Sequence, residues 1–198
     1  PGDIVVAGQR FGIGSAPPLD VAPGAAASVG PPPGSFQQNQ PLFAFAGVGQ
    51  GDVAVTPLEM ALSASAVANG GQIMEPHVAE RITDGDDNTV KTIGAKPWRT
   101  AMSPQVASTM TALMVSVVEG GTGTAARIPG VAVAGKTGTA QNETGAAHAW
   151  FVGFAPAEDP QVAVAVLVEH GGSAGSEATG GRVAAPIAAQ MMRLVLGR

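Results

Sequence analysis

Cysteine is absent from the 198 residues. That excludes disulfides, zinc–thiolate sites and cysteine nucleophiles together, and leaves an oxidising compartment open to the chain. Tyrosine is absent as well, so no phenol carries a proton here. Basic residues are few and scattered: Lys and Arg total 10 against 15 Asp and Glu, a formal charge of −5. A nucleic-acid partner calls for a clustered basic face, so none is expected. Lysine occurs only at Lys91, Lys96 and Lys136. No apolar run reaches the length of a membrane span, and no signal peptide is visible. The opening Pro1-Gly2-Asp3 is neither an initiator Met nor a signal region and reads as the start of a piece cut from something longer.

What is present fits one domain with a sizeable core. Gly (28) and Pro (16) are abundant, so long loops are expected. Asp3 to Phe11 is a short segment in which Ile4, Ala7 and Phe11 share a helical face, with Gly12 as its stop. From Gly12 to Gln40 the prolines forbid a continuous helix, and residues 1–40 read as a Pro/Gly-rich irregular segment. Residues 41–198 carry the regular elements. The run Ala46-Gly-Val-Gly-Gln-Gly51 lacks the spacing of a phosphate cradle and reads as a close-packed turn. Thr56 then caps a helix, with Pro57 at its first position and Glu59 closing a capping box. Leu58, Ala61, Leu62, Ser65 and Ala66 form its buried face, and Gly70 and Gly71 end it.

Ile73–Ile82 and Val90–Ile93 flank Thr83-Asp-Gly-Asp-Asp-Asn88 and read as a hairpin with an acidic tip. The tip lacks the ligand spacing and closing Glu of a calcium loop. Ser103 to Glu119 is a second helix, with Val106, Met110, Leu113, Met114 and Val117 at helical spacing as its core face. Three strands follow, Val131–Ala140, Ala149–Ala155 and Gln161–Glu169, joined by short links as an antiparallel meander. His148 precedes the middle strand, either as a base or as a structural side chain. Gly171 to Gly181 reads as a mobile loop, and Arg182–Leu196 as an amphipathic helix with Pro186 near its first turn.

The chain is organised around Val131-Ala-Val-Ala-Gly-Lys-Thr-Gly-Thr-Ala140. Alternation along a strand puts Lys136 and Gly138 on one face and Thr137 and Thr139 on the other. Gly138 leaves room for close approach to the backbone, and an exposed edge here would offer N–H groups to a substrate. Two motifs overlap. From Gly130 the letters fit the phosphate-binding pattern G-x-x-x-x-G-K-[ST]; from Lys136 they fit the Lys-Thr-Gly motif of penicillin-binding proteins and serine β-lactamases. The stretch before Gly130 is a poor strand, the residues between the glycines are strand-like, and Gly138-Thr-Ala-Gln-Asn-Glu-Thr-Gly145 opens no helix, all against a P-loop. Lys-Thr-Gly alone is equally compatible with a buried strand ending in an ordinary turn.

Four segments in order raise that reading. Gly49-Gln-Gly51 with Thr56-Pro-Leu-Glu-Met-Ala61, Glu119-Gly-Gly-Thr-Gly-Thr-Ala125, Gly135-Lys-Thr-Gly-Thr-Ala-Gln141 and Ala149-Trp-Phe-Val-Gly-Phe-Ala-Pro156 resemble the transpeptidase domain of penicillin-binding proteins. The likeness runs from about Gly47 to the C-terminus and is strongest to class B, division-type members. It implies an α/β fold with an antiparallel sheet flanked by helices. The family also needs a nucleophilic Ser in S-x-x-K and a second Ser in S-x-N; no Ser here stands three residues before a Lys or two before an Asn. The chain therefore resembles the C-terminal part of one transpeptidase domain, residues 1–198.

The resemblance implies a peptidoglycan D,D-transpeptidase, inhibited by β-lactams, whose acyl-enzyme forms on a Ser outside this chain. Lys136 and Thr139 would be catalytic, Thr139 through its N–H in the oxyanion hole; Thr137, Gly138 and Thr139 would bind the substrate, the two threonine hydroxyls holding its terminal carboxylate. No metal or cofactor is implied. The implied partners are the upstream half of the domain, stem peptides, β-lactams and division proteins. The implied location is the extracytoplasmic face of the membrane, with an anchor outside this chain. A sensor module that binds without turnover, or a carboxypeptidase- or β-lactamase-like hydrolase, are the alternatives.

Overall fold

The structure is a computed structural model and describes residues 2–21, 26–29, 33–143 and 145–198. Helix α1 (Gly2–Arg10) opens the chain, with Ile4 and Phe11 half-buried and Ala7 exposed. A short strand β1 (Ser28–Val29) precedes helices α2 (Pro33–Gln38) and α3 (Gln40–Gly47) and pairs antiparallel with β2 (Val53–Ala54). The first forty residues are thus not irregular throughout, which corrects the composition-based expectation. Two prolines sit where helices begin: Pro33 opens α2, and Pro41 lies in the first turn of α3, capped by the Asn39 side chain accepting from Leu42 N–H. A first-turn proline gives up an N–H that has no intrahelical partner anyway.

Helix α4 (Pro57–Ala68) carries the capping box read from Thr56 and Glu59. Its burial is wider than one face: beyond the exposed Pro57 no residue of it is exposed, and Leu62, Ala64, Ala66 and Val67 are buried. It is a central helix, and its small residues let neighbours approach from all sides.

Next comes strand β3 (Gln72–Met74), then the hairpin β4 (Arg81–Thr83) with β5 (Thr89–Thr92), then β6 (Pro97–Thr100). The hairpin is shorter than the sequence suggests. Pro76 breaks the first run, and β3 pairs instead with β6, antiparallel, with Gln72 opposite Thr100. Helix α5 (Pro104–Gly120) starts at the Ser103 cap. Its buried side is Ala107, Met114 and Val118, whereas Val106, Met110 and Leu113 of the expected core face are 51%, 38% and 58% exposed.

A single 3₁₀ turn (Thr124–Ala126) leads to strand β7 (Ala134–Ala140), which pairs with β8 (His148–Ala155), which pairs with β9 (Val162–Val168), all antiparallel. The meander is the one expected, but β7 begins three residues later. Val131 bridges back to Ile128 around a Pro129-Gly130 turn, so the first Val-Ala pair precedes the strand. Lys136 therefore lies inside a strand, not at a helix N-terminus, which removes the P-loop. Beyond β9, residues 169–177 form kinked 3₁₀ turns and 180–184 a single π turn, leading into helix α6 (Ala185–Val195) with Pro186 in its first turn. The stretch 171–181 is thus turn-forming and partly buried at Gly171, Ala178 and Gly180, not a loose loop.

The sheet is the middle of three layers. Phe151, Ala155, Val164 and Val166 pack against Ala184, Ala185, Ala188 and Met192 at the start of and along α6. On the opposite face Ala134 and Phe154 meet Val67 of α4 and Met114 of α5. A satellite core under Trp98 and Phe11 ties β3 and β6 to α4 through Ile73 and Leu62.

Candidate functional site

Strand β7 is the edge of its sheet, in the order β7-β8-β9. Its register puts Lys136 opposite Val152, Thr137 opposite Phe151, Gly138 opposite Trp150 and Thr139 opposite Ala149. Lys136 and Gly138 thus share the face turned to α4 and α5, and the two threonines share the face turned to α6. The Thr139 carbonyl faces away from β8, because it accepts from Gln50 Nε2 at 2.9 Å. In an antiparallel ladder a residue's N–H lies on the same side as its carbonyl. The Thr139 N–H therefore points outward from the free edge.

The segments around the motif hold it in place. Thr122 and Thr137 share a hydrogen bond between their hydroxyls at 2.6 Å. The Gly135 position has no space for a side chain, since a Cβ there would stand 2.2 Å from the Phe151 ring. Gly180 lies against the backbone of the sheet: a Cβ would stand 2.0 Å from Trp150 O and 2.6 Å from Gly138 O. The close approach that Gly138 suggests for a ligand is made, on the threonine face, by the chain itself. Lys136 Nζ donates to Thr137 O at 2.6 Å and is exposed. His148 Nδ1 accepts the His170 N–H at 3.0 Å, and the two imidazoles stand edge to face with centroids 4.8 Å apart. That places His148 at a turn-fixing contact at the start of β8.

Two grooves meet at Lys136. One, of about 790 Å³, runs along β7 beneath the 48–55 turn and is lined by Gln50, Thr137, Gly138, Thr139 and Trp150. The other, of about 920 Å³, is largely apolar and is lined by Phe11, Val67, Met110, Leu113 and Val152 as well as Lys136. Among the described residues no group of three or more His, Asp or Glu is placed to hold a metal. The arrangement is an ammonium, two hydroxyls and outward backbone donors on one strand edge, a geometry for gripping an extended acyl group with a carboxylate.

This edge strand, sheet order and helix layering define a class of protein. The sequence matches the penicillin binding protein transpeptidase domain over residues 7–193, and the chain belongs to that family. It is 43% identical over 183 residues to the peptidoglycan D,D-transpeptidase PbpA of Mycolicibacterium smegmatis, covering 90% of this chain and 36% of that one. To PbpA of Mycobacterium tuberculosis it is 42% identical over 195 residues, covering 95% and 38%. Penicillin-binding protein A from M. tuberculosis, solved as a ceftriaxone acyl-enzyme complex, superimposes with a TM-score of 0.85 at 39% identity, over 96% of this chain and 41% of that one. The D,D-transpeptidase domain of a peptidoglycan glycosyltransferase from Eggerthella lenta gives 0.84 at 30% identity, over 99% and 48%. The chain spans a little over a third of the length of the curated relatives it matches.

The sequence marked Lys136, Thr137, Gly138 and Thr139, which the fold brings to one edge. It missed Thr122 and Gln50 as their partners. Gln50 stands in a stretch read as a turn and Thr122 in one of the family-like segments, but neither signal says which strand the stretch leans on.

Proposed function

We propose that this chain is the C-terminal part of a peptidoglycan D,D-transpeptidase and supplies the strand wall of its cleft. The observation that carries this is the free edge of β7, with Thr139 N–H turned outward beside the Thr137 hydroxyl and Lys136 at the junction of the two grooves. In the complete enzyme a serine Oγ attacks the carbonyl of the penultimate D-Ala. The peptide bond to the terminal D-Ala breaks, and that residue leaves as an amine carrying the serine's proton. An acceptor amine then attacks the ester, forms the cross-link and returns a proton to the serine. Splitting one acyl transfer into two lowers each barrier. Thr139 N–H donates to the oxyanion beside the nucleophile's own N–H, a contribution worth roughly 3–4 kcal/mol per donor. The Thr137 and Thr139 hydroxyls hold the terminal carboxylate, and Gly138 keeps the strand close to the peptide. Lys136 adds positive potential and carries protons among the serine and lysine of the other wall.

The serine and its S-x-x-K lysine come from a segment preceding this chain, which packs into the apolar groove on α4 and α5. Stem peptides are the substrate, β-lactams acylate the same serine, and division proteins are candidate partners. The working location is the extracytoplasmic face of the membrane, with the anchor in the preceding segment; among the described residues no helix is long and apolar enough to cross a membrane. A fluorescent penicillin tests the proposal. The isolated 198 residues stay unlabelled, and the chain extended upstream through S-x-x-K is labelled covalently and releases D-Ala from a stem peptide when an acceptor amine is present. Labelling of the isolated chain would place the nucleophile here and overturn it. Labelling of the extended chain without turnover would make it a sensor, and release of D-Ala without cross-linking would make it a hydrolase.

A further inference from the structure

Gln50 touches β7 at two points. Its Nε2 donates to Thr139 O at 2.9 Å, and its Oε1 accepts the Gln141 N–H at 3.1 Å. Those two backbone groups are two residues apart on the outward side of the strand. One carboxamide bonding both of them does what one residue of a neighbouring parallel strand would do. The side chain is itself held from behind. Gln50 N–H donates to Phe45 O at 2.9 Å, closing the end of α3, and Gly49 and Gly51 on either side have φ of +74° and +69°. Only glycine takes that backbone without strain, so the Gly-Gln-Gly turn is built to present this one side chain. The contact spans 89 and 91 positions of sequence, so it ties the turn to the strand from far along the chain.

We propose that Gln50 is a positioning residue for acylation: its carboxamide clamps the edge of β7 just past Thr139 and so fixes the outward aim of the Thr139 N–H. The inference rests on the reading of that N–H as the oxyanion donor. One Cα separates the N–H from the clamped carbonyl, so a turn of the 139–140 peptide out of the ladder breaks the Gln50 bond first.

The test uses the complete transpeptidase with Gln50→Met, which keeps length and loses both bonds, and Gln50→Glu, which keeps only the acceptor. Stopped-flow acylation by a fluorescent penicillin separates the non-covalent dissociation constant from the acylation rate, and hydrogen exchange reads the Gln141 amide. With Gln50→Met the acylation rate falls about tenfold, the size expected for lost hydrogen-bond support of a transition-state donor. The dissociation constant stays unchanged, and the Gln141 amide exchanges about tenfold faster as its bond is lost. With Gln50→Glu that amide stays protected, and acylation relative to the parent rises as pH drops and the carboxyl regains a proton to donate to Thr139 O. A Gln50→Met enzyme acylating at the parent rate overturns the proposal, as does a lost rate with Gln141 still protected. If Gln50→Met does not fold, a Gln50→Glu rate ratio that is flat with pH overturns it. Failure of the oxyanion reading shows separately, as equal acylation by Thr139→Pro and Thr139→Ala with the Gln141 amide still protected.

Discussion

Under the proposal Thr139 acts through its backbone more than its side chain. Proline at this position has no N–H, whereas alanine keeps it. In the complete protein Thr139→Pro should abolish β-lactam acylation, and Thr139→Ala should retain more activity, losing only the hydroxyl's grip on the carboxylate. Acylation rates with penicillin check the order, and equal rates would mean that another amide is the donor. Glu59 works the other way, through its side chain. It is the one buried charged residue among the described residues, 3% exposed. Its Oε2 accepts from Thr56 N–H at 3.2 Å and Thr56 Oγ1 at 2.7 Å, and its Oε1 accepts the Ala27 N–H at 2.6 Å. One carboxylate therefore closes the N-terminus of α4 and pins the Ala27 backbone against it. Glu59→Ala leaves those buried donors unpaired, which costs about 2–3 kcal/mol. Thermal denaturation should show a drop of several degrees, and Glu59→Gln, which keeps an acceptor, should recover part of it.

The 16–21 segment is held to the 75–80 connection by one exposed side chain. Asp20 accepts from Val78 N–H and Ala79 N–H, both at 2.9 Å. The Ala79 bond foremost, then the Val78 bond, hold its carboxyl below the ordinary value of 3.8. A carboxylate depressed by folding adds stability above its unfolded pKa and loses it as pH falls through the folded value. Asp20→Asn should therefore melt slightly below the parent at neutral pH, and the gap should close below about pH 3.8. A gap that persists unchanged at pH 2 would show that the charge is not what binds the segment. Element by element, the sequence declared what local chemistry determines. The Thr56 and Ser103 caps, the Pro57 start and the period-two strands of the meander are written in neighbouring residues. What it hid depends on contacts far apart. The β3–β6 pairing joins residues on either side of a whole hairpin, and Pro97 at its start disguises β6. The hydroxyl pair Thr122–Thr137 and the Gln50 clamp were invisible because a turn does not name its partner. The stripe on α5 is apolar as its spacing says, yet Val106, Met110 and Leu113 are exposed in this structure, because periodicity reports which residues share a face and not what lies opposite.

At the scale of the molecule that uncovered stripe is the strongest physical statement. Val106, Met110 and Leu113 of α5 stand out beside Lys136, and Ile187, Met191, Leu194 and Val195 of α6 are 42%, 46%, 80% and 63% exposed on the far side of the sheet. Two apolar helix faces on opposite layers are more than scattered surface residues, and contiguous apolar area of this kind marks surface that another element covers. Under the proposal the α5 face becomes interior when the preceding half of the domain docks. The sign of one substitution then depends on context. In the isolated chain Leu113→Glu places a charge in water, should change stability by less than about 0.5 kcal/mol, and should reduce aggregation. In the complete protein the same carboxylate is buried without a partner. It should then cost about 3 kcal/mol or more, with its pKa driven upward and the loss easing in acid. Chemical denaturation of both forms, with and without the substitution, reads the difference directly. A Leu113→Glu effect that is small in both would mean that the α5 face stays in solvent, and the strand wall would then need its nucleophile from another direction.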